Sequence, residues 1–362
     1  MTPSDAEPAD FFQRTRPARK ILVVDLGFLG DSVHLIPACW ELKRSYPQAE
    51  LHTLSATVGA DVLGLAPCVD RAWAYPLSNP SPPWWKHLDI LRSIRRERFD
   101  LALCFSGSDR PVWVTALSGA RHRLAHNSGR QHFYNRWLIP DWVPRRAREL
   151  PVFEQRRQVL AAAGMTLLPA RFDLRIPDEA VAWAQANIPP GSIHLSPNAS
   201  LPLKEWPLEN WTALVPRLRA DTGRTLVATC DGSPRERQRL QALAAAVSPS
   251  DLIALPDRLP LPRLAALLRQ SVLHVGADSG VTHLAMALDT PTVTAYREYD
   301  GRLEWSPTGP RHRQLLVECA CIRQPQASCV TASRAECLGR IRPEAMLAEC
   351  LALMDPPAEA RR

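Results

Sequence analysis

Residues 274–288, HVGADSGVTHLAMAL, set Asp278, Ser279 and Gly280 between an apolar run and a helix-like one. A helix starting there leaves backbone N–H groups without intrahelical partners, and these, with the positive end of the helix dipole, suit an anion such as phosphate. The same residues have a plainer explanation, in which Asp278 or Ser279 simply caps the helix. His283, one turn on, faces either the core or a crevice. A second stretch, LSPNASLPLKEWPLENW (195–211), places a single lysine, Lys204, in a short polar loop after a strand. There it could neutralise a phosphate as a point charge, although a lone loop lysine is ordinarily solvated surface.

A third stretch, LGFLGDSVHLIPA (26–38), turns through Gly27 and Gly30 into Asp31 at a helix start. It is not a G-x-G-x-x-G fingerprint, so it implies no nicotinamide-type cofactor. Asp31 either caps the helix or offers a carboxylate as general base toward a hydroxyl. A fourth, CDGSPRERQRLQAL (230–243), carries Glu236, which could accept hydrogen bonds from a ribose or lie on a solvated helix face. Near the C-terminus Cys319, Cys321, Cys329 and Cys337 follow the spacing C-x-C-x7-C-x7-C. Four thiols could hold zinc or iron, but the paired C-x-x-C knuckles of zinc ribbons are missing, and free or structural thiols are the preferred reading.

The elements that must position these residues alternate along the chain. Strand-type runs at 20–26, 49–55, 71–77 and 101–106 are separated by helix-type segments at 31–47 and 84–97. After a proline-rich pause at 170–192, strands are expected at 193–197, 224–230, 251–255, 272–277 and 291–296, with helices near 207–220, 233–246, 260–269 and 279–288. This rhythm predicts parallel sheets covered by helices on both faces, in two doubly wound domains. Residues 1–19 are expected to form a loose arm, residues 20–178 the first domain and residues 179–354 the second. The 34 prolines cluster at strand–helix junctions.

With 362 residues, 46% of them hydrophobic and 22% charged, the chain has the composition of a globular protein and not of a disordered one. Its net charge of +7 attracts nucleic acid, anionic lipid or phosphorylated small molecules alike. No nucleic-acid-binding motif accompanies the charge. No apolar run approaches the ~20 residues that span a bilayer, and the polar first twenty residues hold no signal-peptide core. A cytoplasmic protein is expected. Cys39, Cys68, Cys104, Cys230 and Cys350, in apolar runs, read as reduced core thiols.

From residue 20 to 354 the chain resembles glycosyltransferase family 9, the ADP-heptose:lipopolysaccharide heptosyltransferases. The resemblance is carried by ILVVDLGFLGDSVHLIPACWELKRSYPQAE, HLSPNASLPLKEWPLENWTALV and VGADSGVTHLAMALDTPTVTAY, in the family's order and spacing. It implies a GT-B fold, with two Rossmann-like domains facing one cleft, the first for the acceptor and the second for the nucleotide sugar. By position it implies Asp31 as catalytic base, Lys204 as the phosphate-binding lysine, and Asp278, Ser279 and Gly280 as the diphosphate turn. His283, Gly30, Ser196 and Glu236 follow as substrate-binding positions.

The resemblance also implies inversion at the anomeric carbon without a metal cofactor, with ADP-heptose as donor and a lipopolysaccharide core acceptor at the inner face of the inner membrane. A protein acceptor is an alternative, because some family members glycosylate autotransporters and carry a cysteine-bound iron. A catalytically silent GT-B protein is another, against which the joint presence of Asp31, Lys204 and Asp278 argues. Three positions depart from the family pattern. Asp25 replaces a usual basic residue, Arg297 and Glu298 replace Gly-Pro, and Asn198 replaces a common glycine.

Overall fold

The computed structural model describes residues 10–77, 83–106, 108–126, 135–143, 149–319, 329 and 332–354. The chain divides into two compact units, Met1–Arg175 and Ile176–Arg362, so the division falls at Arg175 and not after residue 178.

In the first unit, α1 (Phe11–Thr15) leads into β1 (Lys20–Val24), α2 (Leu29–Ser45), β2 (Glu50–Ala56), α3 (Thr57–Leu63) and β3 (Arg71–Tyr75). There follow α4 (Trp84–Arg96), β4 (Leu101–Cys104), α5 (Asp109–Leu117), β5 (His122–His126), α6 (Asn135–Leu138), β6 (Asp141–Val143) and α7 (Val152–Ala162). The six strands are parallel in the order β3-β2-β1-β4-β5-β6. β1 reads KILVV because a central parallel strand is covered on both faces.

The loose-arm expectation for residues 1–19 needs correction. Residues 11–15 are helical, Phe11 is fully buried, and the Thr15 and Tyr46 hydroxyls hydrogen-bond at 2.6 Å. The aromatic pair Phe11-Phe12 gives this segment apolar surface that a solvated arm would leave in water.

The second unit holds α8 (Asp178–Asn187), β7 (Ile193–Ser196), α9 (Leu208–Thr222), β8 (Leu226–Thr229), α10 (Pro234–Ala246), β9 (Leu252–Leu255) and α11 (Leu261–Gln270). It continues with β10 (Leu273–Ala277), α12 (Gly280–Ala287), β11 (Thr292–Ala295), α13 (Arg302–Trp305), β12 (His312–Leu315), α14 (Glu336–Gly339) and α15 (Pro343–Met354). Its parallel sheet runs β12-β11-β10-β7-β8-β9. Counted within each unit, both sheets have the doubly wound order 3-2-1-4-5-6. The reversal in strand order falls between β1 and β4 in one and between β7 and β10 in the other. Ligands of such sheets bind beyond the carboxyl ends of the strands flanking that reversal.

Proline marks many of the helix starts. Pro83, Pro151, Pro177, Pro207 and Pro260 each occupy the position preceding a helix, with no side-chain cap there. The proline clusters at junctions are therefore where chain direction is set. The core of the second unit forms around Trp206 and Trp211, fully buried and edge-to-face at 5.2 Å, with Leu214, Leu218, Met346 and Cys350. Trp206 donates its ring N–H to the Ile341 carbonyl at 3.0 Å, which satisfies its polar atom. Truncation of either tryptophan to alanine removes about 3–5 kcal/mol of stability. Cys39, Cys68, Cys104 and Cys350 are buried free thiols, as expected, whereas Cys230 is only partly covered.

Candidate active site

In the second unit the turn after β10 and the loop after β7 meet. Lys204, closing a short 3-10 turn (Pro202–Lys204), places its Nζ 2.8 Å from Oδ2 of Asp278. Asp278 is 3% exposed and Lys204 keeps a quarter of its side chain open to solvent. Burial pushes the Asp278 carboxyl up, but the neighbouring His283 ring and the Lys204 charge outweigh it and hold the group below its ordinary value. His283 is buried, with Nε2 3.8 Å from Oδ1 of Asp278 and its ring 5.6 Å from that of Trp305. Asp278 is thus the counter-ion that aims Lys204, a different task from capping.

Ser279 stands at the N-cap of α12 in extended conformation, yet its side chain makes no cap bond, and its Oγ is buried without a hydrogen-bond partner among the described residues. The simple cap reading fails for both residues. The helix start at Gly280 keeps backbone donors that no side chain of the turn closes, beside an oriented ammonium group. That combination suits a phosphate.

Glu205, Arg235 and Arg239, which sequence reasoning did not single out, hold this arrangement. Glu205, next to Lys204, accepts from the Ala199 N–H at 3.1 Å and pairs with Arg235 at 2.5 Å and Arg239 at 3.4 Å. Arg239 also donates to the Trp206 carbonyl at 2.6 Å, so α10 carries the lysine loop. Asn198 donates to the Glu236 carbonyl at 3.3 Å. Glu236 itself is buried, with Oε2 accepting from the Asp231 N–H at 3.0 Å and Oε1 3.2 Å from Arg235. Burial raises its carboxyl to about 7. The solvated-face alternative is thereby corrected, because the polar turn at 231–233 folds over the carboxylate. Ser196 is buried at the end of β7, in register with Gly276 of β10.

A buried hydrogen-bond chain crosses the sheet beneath the turn. The Thr282 hydroxyl donates to the Ala277 carbonyl at 2.7 Å, so toward Nε2 of His274, at 3.1 Å, it can only accept. His274 then carries its proton on Nε2, and its Nδ1 accepts from Nδ1–H of His194 at 2.8 Å. Nε2 of His194 in turn accepts from the Thr229 hydroxyl at 2.9 Å. Complete burial lowers His194 to about 3 and His274 well below its ordinary value, so both rings are neutral. Gly276 permits this, because a Cβ there would lie 2.7 Å from Nε2 of His274.

The loop bearing the Arg297-Glu298 departure also reaches the turn. The Tyr299 hydroxyl lies 3.4 Å from Oδ2 of Asp278, with the Arg297 guanidinium 5.0 Å above its ring. Burial, then the neighbouring Asp278 charge, pushes the phenol up, so it stays a donor. Glu298 is buried and pairs with Arg302 at 2.6 Å.

In the first unit Asp31 does cap: its Oδ2 accepts from the Phe28 N–H at 2.9 Å at the start of α2. Its side chain nevertheless remains about one-quarter exposed, so capping leaves it reachable by a hydroxyl. Gly27 makes room, since a Cβ there would come within 2.4 Å of the Asp31 side chain. Gly30 is buried in the first turn of α2. Asp25, the second carboxylate at this strand end, is buried and engages Arg156 of α7.

Among the described residues no group of three or more His, Cys, Asp or Glu is placed to hold a metal ion. Cys321 lies outside those residues, while Cys329 and Cys337 are buried and Cys337 accepts from the Glu298 N–H at 3.5 Å. No helix among the described residues is long and apolar enough to cross a membrane.

Known proteins resemble this chain in sequence and in fold. Lipopolysaccharide heptosyltransferase 1 of Pseudomonas aeruginosa is 26% identical over 292 residues, covering 76% of this chain and 78% of its own. The structure of E. coli ADP-heptose lps heptosyltransferase II superposes with a TM-score of 0.76 at 20% identity, over 92% of this chain and 98% of the other. E. coli heptosyltransferase WaaC with ADP-2-deoxy-2-fluoro heptose superposes with a TM-score of 0.71 at 18% identity, over 92% and 99%. These likenesses establish the two-domain α/β GT-B fold. The sequence model of glycosyltransferase family 9 (heptosyltransferase) matches residues 87–334, and the chain, with its two doubly wound sheets, belongs to that family of glycosyl-transferring enzymes.

Proposed function

We propose that the protein is an inverting, metal-independent heptosyltransferase that moves heptose from ADP-heptose to a lipopolysaccharide core acceptor. The observation that carries this reading is the Lys204–Asp278 pair beside the start of α12, at the reversal in strand order of the second unit. The names of the relatives support heptose, ADP and lipopolysaccharide. The net charge of +7 suits a phosphorylated acceptor at a membrane surface.

In this mechanism Asp31 takes the proton of an acceptor hydroxyl as the oxygen bonds to the anomeric carbon of the heptose. The bond from that carbon to the diphosphate oxygen breaks, and its electron pair leaves with ADP. Lys204 and the N–H groups opening α12 stabilise the charge that grows on the leaving group. Asp278 orients the lysine.

The test is a binding screen of ADP-heptose against UDP- and GDP-sugars, followed by turnover with a heptose-deficient lipopolysaccharide core. Preferential binding of ADP-heptose and transfer to that core are expected. Preference for a UDP- or GDP-sugar would overturn the donor assignment. Asp31→Ala should retain donor binding and lose transfer.

A further inference from the structure

The carboxyl end of β1 gathers two carboxylates and one distant cation. Arg156, on α7, lies 131 residues beyond Asp25 and 125 beyond Asp31, and only 8% of its side chain is exposed. One guanidinium nitrogen, Nη2, donates to Oδ2 of Asp25 at 2.5 Å and lies 3.6 Å from Oδ1 of Asp31. The other, Nη1, donates to the backbone carbonyl of Asp31. The second oxygen of Asp25 accepts from the Gly27 N–H at 3.0 Å. With both oxygens engaged and only 2% of its side chain exposed, Asp25 has no path to an acceptor hydroxyl. The two carboxylates therefore differ in kind, one sealed against a guanidinium and one open to solvent.

We propose that Arg156 is a positioning residue for Asp31, fixed by Asp25, so that Asp25, Arg156 and the Asp31 backbone form a clamp presenting the Asp31 carboxylate in one place. A guanidinium suits the task because its planar fork reaches two acceptors at once, whereas an ammonium delivers a point charge. The clamp also joins two elements that the chain separates widely, the loop after β1 and the helix α7. Asp25 is then a counter-ion, and the strand end needs no basic residue of its own because α7 supplies one. The catalytic consequence rests on the reading of Asp31 as the base, while the clamp itself does not.

The experiment has two arms on the full-length protein. In the first, amide hydrogen exchange of residues 26–33 is compared among wild type, Arg156→Lys and Asp25→Asn, with unfolding midpoints recorded to confirm folding. At least tenfold faster exchange in this turn is expected, with the β7 and β10 amides unchanged. In the second, turnover of ADP-heptose with a heptose-deficient lipopolysaccharide core is measured for Arg156→Lys, Asp31→Asn and the double variant. Arg156→Lys should lower kcat about tenfold or more with the donor KM within twofold, and should cause no further loss in the Asp31→Asn background. Unchanged exchange in the turn, or a full additional loss in the double variant, would overturn the clamp. Full activity of Asp31→Asn would instead overturn the base assignment and leave the exchange result standing. If those substrates do not turn over, the exchange arm decides alone.

Discussion

Acid should unfold the second unit through His194 and His274, and the size of the effect follows from their burial. Both rings are fully buried and neutral, with folded-state values far below the ordinary ~6.5 of an unfolded histidine. A second proton on His274 would set two N–H groups against each other across the 2.8 Å Nδ1···Nδ1 contact. Below pH ~6.5 the unfolded chain therefore binds protons that the folded chain refuses, and stability falls with pH. The pair's contribution is fully present above ~6.5 and is lost progressively toward about 3. A group that stays neutral in the folded chain costs roughly 1 kcal/mol per pH unit below 6.5, so the pair should remove on the order of 3 kcal/mol between pH 7.5 and 5.5. Hydrogen exchange of the β7 and β10 amides, corrected for intrinsic exchange rates, reports opening of this unit alone. The double variant His194→Gln, His274→Gln should be less stable at pH 7.5 but lose most of that pH dependence. His312, also lowered by burial, stays in both proteins, so the comparison isolates the pair. Wild-type pH dependence in the double variant would refute the neutral relay.

Other outcomes can be checked independently. Gly27→Ala should push Asp31 out of place and lower kcat by an order of magnitude or more with donor affinity retained, as read by initial rates and calorimetry. Lys204→Ala should cost on the order of 10²–10³ in kcat and also weaken ADP binding. Glu236 should give the opposite pH trend to the histidines. Its folded value is raised to about 7, so its contribution is complete below ~4.5 and is lost as pH rises through 7. Glu236→Gln should therefore gain stability relative to wild type between pH 5 and 8 in urea melts. Native alkylation at pH 8, followed by mass spectrometry, should label the partly covered Cys230 well before Cys104, whose thiol burial pushes up to about 12.

The alternation of strands and helices was legible because the central parallel strands, KILVV and LHVGA among them, are apolar throughout or nearly so. β5 and β6 were missed: HRLAH and DWV lie toward the edge of their sheet, where polar and charged side chains are tolerated, and arginine there reads only as charge. α7 was missed for a related reason, since its buried arginines are matched by acids far away in sequence, Arg156 by Asp25 and Arg157 by Glu41. Periodicity scores such residues as solvent-facing. Asp31, Lys204, Asp278 and Ser279 could be named from the turns they occupy. That Lys204 and Asp278 would grip each other, and that Ser279 would leave its helix uncapped, depended on loop paths that residue types do not encode.

The Lys204–Asp278 pair has one more consequence, for selectivity among anions. Asp278 is a competitor that is tethered to the site and so never dilutes. A lysine held at 2.8 Å by a carboxylate on the same unit faces an effective concentration in the millimolar range or above, against which any visiting anion must compete. A single phosphate or sulfate offers the ammonium little that the carboxylate does not already provide. A diphosphate could replace the carboxylate on the ammonium with one group while the other met the start of α12, and so make two contacts where the tether makes one. If the proposed function holds, the turn should favour paired phosphates over the free ones around it.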